Sequence, residues 1–162
     1  MLFLRIQVSY YSLSLIFKDL AAAYHFKGRV SQCKGDFARA IPDFTMAISI
    51  DSSQKSNAEP KQIGEHFNFC GQCFYELGQY EDALRHYESA VKKDDKNGNY
   101  FYNRALVKSK LDKLDDAIAD YNKAIEFLIE AKYIYQARFN KGVCLRRMGR
   151  LEESIEDLKQ AV

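Results

Sequence analysis

The sequence predicts an all-α solenoid of about four antiparallel helix-turn-helix hairpins, and three observations predict it. Small residues recur in three slots: Gly28, Ala40 and Ala47, then Gly71, Ala83 and Ala90, then Ala105, Ala117 and Ala124, then Gly142, Ser154 and Ala161. Within each set the gaps are twelve and seven residues, while successive sets begin 43, 34 and 37 residues apart. A constant internal spacing with variable joins marks an array of one repeated unit. Large residues keep the same phase. Phe44, Tyr87, Tyr121 and Leu158 lie three before the last slot, and Phe37, Tyr80, Leu114 and Leu151 lie three before the middle one. Offsets of three, four and seven share one helical face, so the second half of each unit reads as an amphipathic helix. Finally, Gly35, Gly78 and Gly149 lie five before the middle slot, where glycine can turn left-handed and end a first helix. Asp112 holds that place in the third unit.

Taken in order, residues 1–20 stand outside the repeat. Aromatic and aliphatic residues are frequent there, but Arg5, Gln7 and several serines interrupt the run. It is too short for a membrane span and lacks the small-residue cleavage site of a signal peptide. Phe3, Ile6, Tyr10 and Leu13 match the second helix of a preceding, degenerate unit that would cap the array. Alternation of Leu4, Ile6, Val8 and Tyr10 with Arg5, Gln7 and Ser9 matches a strand instead, and the capping helix is the favoured reading. The array proper spans 21–162, in units of about 21–51, 64–97, 98–131 and 135–162. In the first unit Asp36 is placed to cap the second helix, and Pro42 predicts a small kink or a late start there. The stretch from Asp51 to Gln62 is the most linker-like and absorbs the longer first step. Glu81-Asp82, Asp115-Asp116 and Glu152-Glu153 open the later second helices, where acidic residues oppose the helix dipole. The extra residues of the last step fall near Phe127 to Gln136, which has no breaker and predicts longer flanking helices. The fourth unit stops inside its second helix, leaving Ile155, Leu158 and Val162 uncovered. A longer array, or self-association through this uncapped C-terminal end, is the expected consequence.

At these residues the chain resembles the tetratricopeptide repeat family. Residues 67–90 (FNFCGQCFYELGQYEDALRHYESA) and 101–127 (FYNRALVKSKLDKLDDAIADYNKAIEF) carry the resemblance most fully, and it extends over roughly 21–162. Two positions depart from the pattern: Lys108 stands where an apolar or aromatic residue is usual, and Arg138 replaces the aromatic seen as Tyr24, Phe67 and Phe101. The resemblance implies a right-handed solenoid whose first helices line a groove for an extended peptide or a partner's helix. Carried over residue by residue, the groove positions are His25 and Arg29; Asn68, Gln72 and Tyr75; Asn99, Tyr102 and Asn103; and Gln136, Asn140, Val143 and Arg147. Amides both donate and accept, so such a row suits a peptide backbone without demanding one sequence. Chaperone-binding members grip a C-terminal carboxylate with paired Lys, Asn and Arg side chains. Here Asn103 matches the middle Asn, but Asn68, Gln72, Gln136 and Asn140 fill the flanking places. Without paired cations there is no bidentate grip on a carboxylate, which argues against binding chaperone tails by that mode.

The chain has 162 residues, 47% of them apolar, enough for one continuous core spread along an axis. A formal charge of +2 with no clustered basic stripe gives no nucleic-acid footprint. None of His25, His66 and His86 has a Ser or Cys in a nucleophile setting, and no glycine-rich phosphate loop occurs, so no enzymatic activity is expected. Cys70 and Cys73, with His66 four residues upstream, form the only metal-like motif. Their places face a neighbouring helix, where free cysteine packs as a small apolar residue, so neither metal nor cofactor is expected. Four scattered cysteines and no glycosylation sequon fit a reducing, cytoplasmic setting. The function expected is therefore a protein-interaction scaffold, binding a protein or peptide and neither nucleic acid nor membrane. A chaperone adaptor, or a substrate-recruiting module of an enzyme whose catalytic domain lies elsewhere, is the alternative.

Overall fold

The computed structural model describes residues 2–53 and 58–159, with side chains from residue 15 onward. The described residues form eight helices and no strand: α1 Leu2–Cys33, α2 Phe37–Asp51, α3 Pro60–Glu76, α4 Tyr80–Lys93, α5 Gly98–Lys110, α6 Leu114–Phe127, α7 Ala131–Arg147 and α8 Leu151–Lys159. Consecutive pairs make four hairpins, and each hairpin packs on the next through α2 and α3, α4 and α5, and α6 and α7. The odd-numbered helices also touch one another in sequence, so they share one face of the stack.

The turns follow from the residue five before each middle small slot. Gly35, Gly78 and Gly149 adopt φ of 79°, 74° and 78°, and Asp112 takes φ 61° in their company. Each turn closes with the same backbone pair. Gly78 N donates to Tyr75 O at 3.0 Å while Gln79 N reaches back to Phe74 O at 2.9 Å, and the other three units repeat this bond for bond. The left-handed residue thereby satisfies carbonyls that the helix end would otherwise orphan.

Close helix approach follows from the small slots. Ala40, Ala47, Ala83, Ala90, Ala105, Ala117 and Ala124 are all fully buried. Above Gly71 the ring of Tyr87 lies so near that an added Cβ would meet it at 3.0 Å, and Phe44 covers Gly28 in the same way at 2.9 Å. Beside this apolar seam runs a polar one. The residue just before each first small slot faces the residue three after the middle slot. The pairs are Lys27 Nζ with Asp43 at 2.7 Å, Arg104 with both oxygens of Asp120 at 2.7 Å, and Lys141 Nζ with Asp157 at 2.9 Å. In the second unit the same two places hold Cys70 and His86, with Sγ and Nε2 3.9 Å apart.

Several details differ from the sequence reading. The N-terminal segment is helical, as the favoured reading has it, but it is continuous with the first helix of the array: α1 runs unbroken across residue 20. Pro42 sits inside α2, which begins on time at Phe37. Asp36 makes no side-chain cap; its carboxylate lies 3.6 Å from Arg39 instead. The extra residues of the last step do not extend both neighbours. Leu128–Glu130 separate α6 from α7, and α7 alone gains length, 17 residues against 13 in α5. Lys108 and Arg138 are accommodated by charge: Lys108 Nζ lies 2.7 Å from Asp120, and Arg138 3.8 Å from Asp157. On α8, Ile155 and Leu158 are exposed, while Val162 and the linker residues 54–57 lie outside the described residues.

Candidate functional site

Along the shared face of α1, α3, α5 and α7, polar side chains bond from one hairpin to the next. Gln32 Nε2 donates to Gln72 Oε1 at 3.1 Å, Asn103 Nδ2 to Asn68 Oδ1 at 2.8 Å, and Asn140 Nδ2 to the Tyr102 hydroxyl at 3.0 Å. Each bond spends part of an amide's capacity and leaves the rest for a ligand. Over this row opens a cavity of about 520 Å³ that includes Asn68, Gln72, Asn99, Tyr102, Asn103 and Gln136 in its lining. Its charged rim carries Lys61 against Glu65 and Glu130. Six of the twelve sequence-predicted residues thus meet in one place. Tyr75 lines a smaller cavity of about 320 Å³ beside Gln72 and Asn103. Burial pushes the phenols of Tyr75 and Tyr102 above their usual range, so both are hydroxyl donors at neutral pH.

The remaining predicted residues lie elsewhere. Asn140 holds Tyr102 in place. Arg29 lays its guanidinium on the Phe69 ring at 4.0 Å, leaving its buried Nε without a hydrogen-bond partner. Arg147 turns to the neighbouring hairpin, donating to Ser109 O at 2.9 Å and to Asp112 at 2.9 Å. It therefore braces the one turn that lacks glycine.

His25 belongs to a second cavity, of about 600 Å³, between α1 and α3. His25 Nδ1 meets His66 Nδ1 at 2.8 Å, and His66 Nε2 meets Asp51 Oδ2 at 2.9 Å. Gln62 donates to the same carboxylate oxygen at 2.9 Å. Asp51 and His66 are almost wholly buried, with side-chain exposures of 0% and 3%. Burial, then the neighbouring His66 and Arg29, lower the His25 pKa to about 4, against an opposing pull from Asp51. The imidazole is neutral at pH 7. This Asp51–His66–His25 chain was not legible beforehand, although one signal was present. His66 takes a slot, five before the first small residue, that Tyr100 and Ala137 fill as core residues.

Cys70 and Cys73 are not activated thiols. Burial, then Cys73, push the Cys70 thiol up to about 12, and burial with Glu76 pushes Cys73 to about 11. Thiolates are the reactive and metal-binding form. Among the described residues no group of three or more His, Cys, Asp or Glu is arranged to hold a metal ion.

Stacked helical hairpins with one continuous polar face define a helical-repeat protein. The chain belongs to the tetratricopeptide repeat family: a "TPR repeat" sequence model matches residues 71–112, and a "Tetratricopeptide repeat" model matches 98–127 and 135–162. Among its relatives, Hsp70-Hsp90 organizing protein 2 of Arabidopsis thaliana is 31% identical over 94 residues, covering 56% of this chain and 16% of that protein. The chain thus spans about a sixth of the length of that relative. In solved structures its fold is similar to MamA, with a TM-score of 0.76 and 16% identity, covering 97% of this chain and 89% of that one. It is also similar to the first TPR of Spaghetti (RPAP3) bound to the HSP90 peptide SRMEEVD. There the TM-score is 0.70 at 16% identity, covering 82% of this chain and 98% of that one.

Proposed function

We propose that this chain is a protein-interaction scaffold that holds an extended segment of a partner protein along the groove over α3, α5 and α7. The observation that carries the reading is the row of inter-helix amide bonds beneath the 520 Å³ cavity. Those bonds fix Asn103 and Tyr102 in orientation while each retains hydrogen-bonding capacity toward the groove. Donors and acceptors held in advance lower the ordering cost of binding a flexible segment. The scaffold acts within a larger assembly, in a reducing compartment such as the cytoplasm, consistent with the free Cys33, Cys70, Cys73 and Cys144.

The names of the Arabidopsis relative and of the Spaghetti complex favour a second reading, an adaptor for chaperone tails. The groove itself argues against it. An acidic tail needs convergent cations, and the cavity sets Lys61 against Glu65 and Glu130. Two experiments on the intact chain separate the readings. Calorimetric titration with SRMEEVD should show no binding tighter than about 1 mM. Affinity capture beside an Asn68→Ala, Tyr102→Ala, Asn103→Ala triple variant, with folding checked by circular dichroism, should lose the partner. Removing both Asn68 and Asn103 avoids stranding one buried amide without its mate. Micromolar SRMEEVD binding would replace the proposal with the adaptor reading, and capture equal in both proteins would move recognition off the groove.

A further inference from the structure

His25 of α1 is wedged between the first hairpin and the second. It meets the Phe44 ring of α2 edge to face at 5.5 Å and the Phe69 ring of α3 at 5.2 Å, and its Nδ1 lies 2.8 Å from Nδ1 of His66 on α3. Such a contact needs one N–H and one lone pair, and a charged imidazole has no lone pair. A charged His66 can donate to a neutral His25, and a neutral His66 can accept from His25. Two charged rings share no hydrogen bond and repel each other. Whatever the resting tautomer, the docked pair therefore carries at most one charge, while two imidazoles released into water can each take a proton.

Of the two rings, His66 is the better place for that charge, because its Nε2 faces the buried Asp51 carboxylate of α2 at 2.9 Å. A second charge has to go to His25, where the neighbours oppose it. Arg29 stands one turn along α1, at a spacing where like charges repel. Glu59, Lys61 and Glu65 border the cavity beside His25, but all three are exposed and screened by solvent. Burial, then His66 and Arg29, set against Asp51, lower the His25 pKa from 6.5 to about 4. The same side of α1 is tied to α3 at two further points, Arg29 over the Phe69 ring at 4.0 Å and Gln32 to Gln72 at 3.1 Å.

We propose that the α1–α3 seam is an acid-opened joint: closed at neutral pH, it releases the first hairpin from the second when His25 takes a proton. The stability gained by docking is whole above 6.5, the value His25 regains on release, and is lost as pH falls from there towards 4. Gln72 lines the main groove, so opening frees that end of the groove from Gln32. The joint stands whether or not the groove holds a partner.

The test is amide hydrogen exchange of the intact chain at pH 7 and pH 5, each rate divided by the intrinsic rate at its own pH. A hairpin freed from the stack loses the interface that stabilises it. Protection in α2 and in α1 from Ala21 onward should therefore fall about 20-fold between the two pH values, while α5 and α6 keep theirs. In His25→Gln the amide can bond His66 in either of its states but takes no proton, so protection should hold at both pH values. His86 on α4, also held below its usual range by burial, is the control, and His86→Gln should leave the fall intact. A second measurement needs no variant. Long-range proton–nitrogen correlation in the parent chain should show a neutral His25 ring at pH 6, where an ordinary imidazole is mostly charged. Unchanged protection at pH 5, an equal fall in all helices, the same fall in a folded His25→Gln chain, its loss in a folded His86→Gln chain, or a charged His25 at pH 6 would each overturn the joint.

Discussion

Asp120 and Asp43 occupy the same slot in different hairpins, yet their partners make them unequal. Asp120 takes Arg104 and Lys108, whose side chains are 16% and 15% exposed, whereas Asp43 takes Lys27, which is 67% exposed. Removing one member of a buried pair strands a charge that water cannot reach, at a cost of about 3–5 kcal/mol. An exposed cation merely turns to solvent, and such pairs contribute about 0–1 kcal/mol. Asp120→Asn should therefore destabilise by about 3 kcal/mol and Asp43→Asn by about 1 kcal/mol, read from urea midpoints at equal m-value. Equal losses would show that the slot serves geometry alone. These pairs also explain why the sequence treats Lys108 as a departure. Their partners sit on the opposing helix, 16 residues from Arg104 and 12 from Lys108, and no single-helix periodicity reports a contact across a turn. In the second unit Cys70 and His86 need no such balance. Burial pushes the thiol up and the imidazole down, so both are neutral and the slot is filled without charge.

At the scale of elements, what the sequence shows is whatever one residue decides. The left-handed turn needs glycine or a tolerant substitute, so all four hairpin ends were legible, Asp112 included. The starts of α3 and α7 were not, because they depend on where the incoming chain can reach the preceding hairpin. The unbroken α1 was missed for a related reason: a segment without the small slots gave no marker of where one helix should stop. Packing of α5 on α6 rests on the small slots, and Ala117 tests it. Its side chain is fully buried, whereas Ala119 on the same helix is exposed. Leucine at 117 forces the backbones apart and should cost about 1–3 kcal/mol in thermal or urea unfolding. Leucine at 119 adds a good helix former on the solvent side and should stay within about 0.5 kcal/mol of the parent. Tolerance at 117 would mean that the hairpin register differs from the one described.

For the whole molecule, the polar face could be outlined in advance because its residues repeat with the array, and six of the twelve residues named for it line one cavity. Arg147 left that set because it answers to a neighbour's turn, and His66 stayed hidden because its partner Asp51 comes from the preceding hairpin. Both are contacts between units, and such contacts also govern how the stack holds together. Among the described residues each hairpin touches only its neighbours along the chain, so stability is a sum of hairpin and interface contributions with no single closed core. The helices α3 to α6 are packed from both sides. In contrast Leu151, Ile155 and Leu158 of α8 are 56%, 53% and 37% exposed. Amide exchange should then be slowest in α3 to α6 and faster in α8, since local opening costs less where fewer apolar contacts break. The Ala117→Leu variant sharpens the test. If the units couple only through interfaces, it should speed exchange in α5 to α8 more than in α1 and α2, and uniform acceleration across all eight helices would show a single cooperative unit instead.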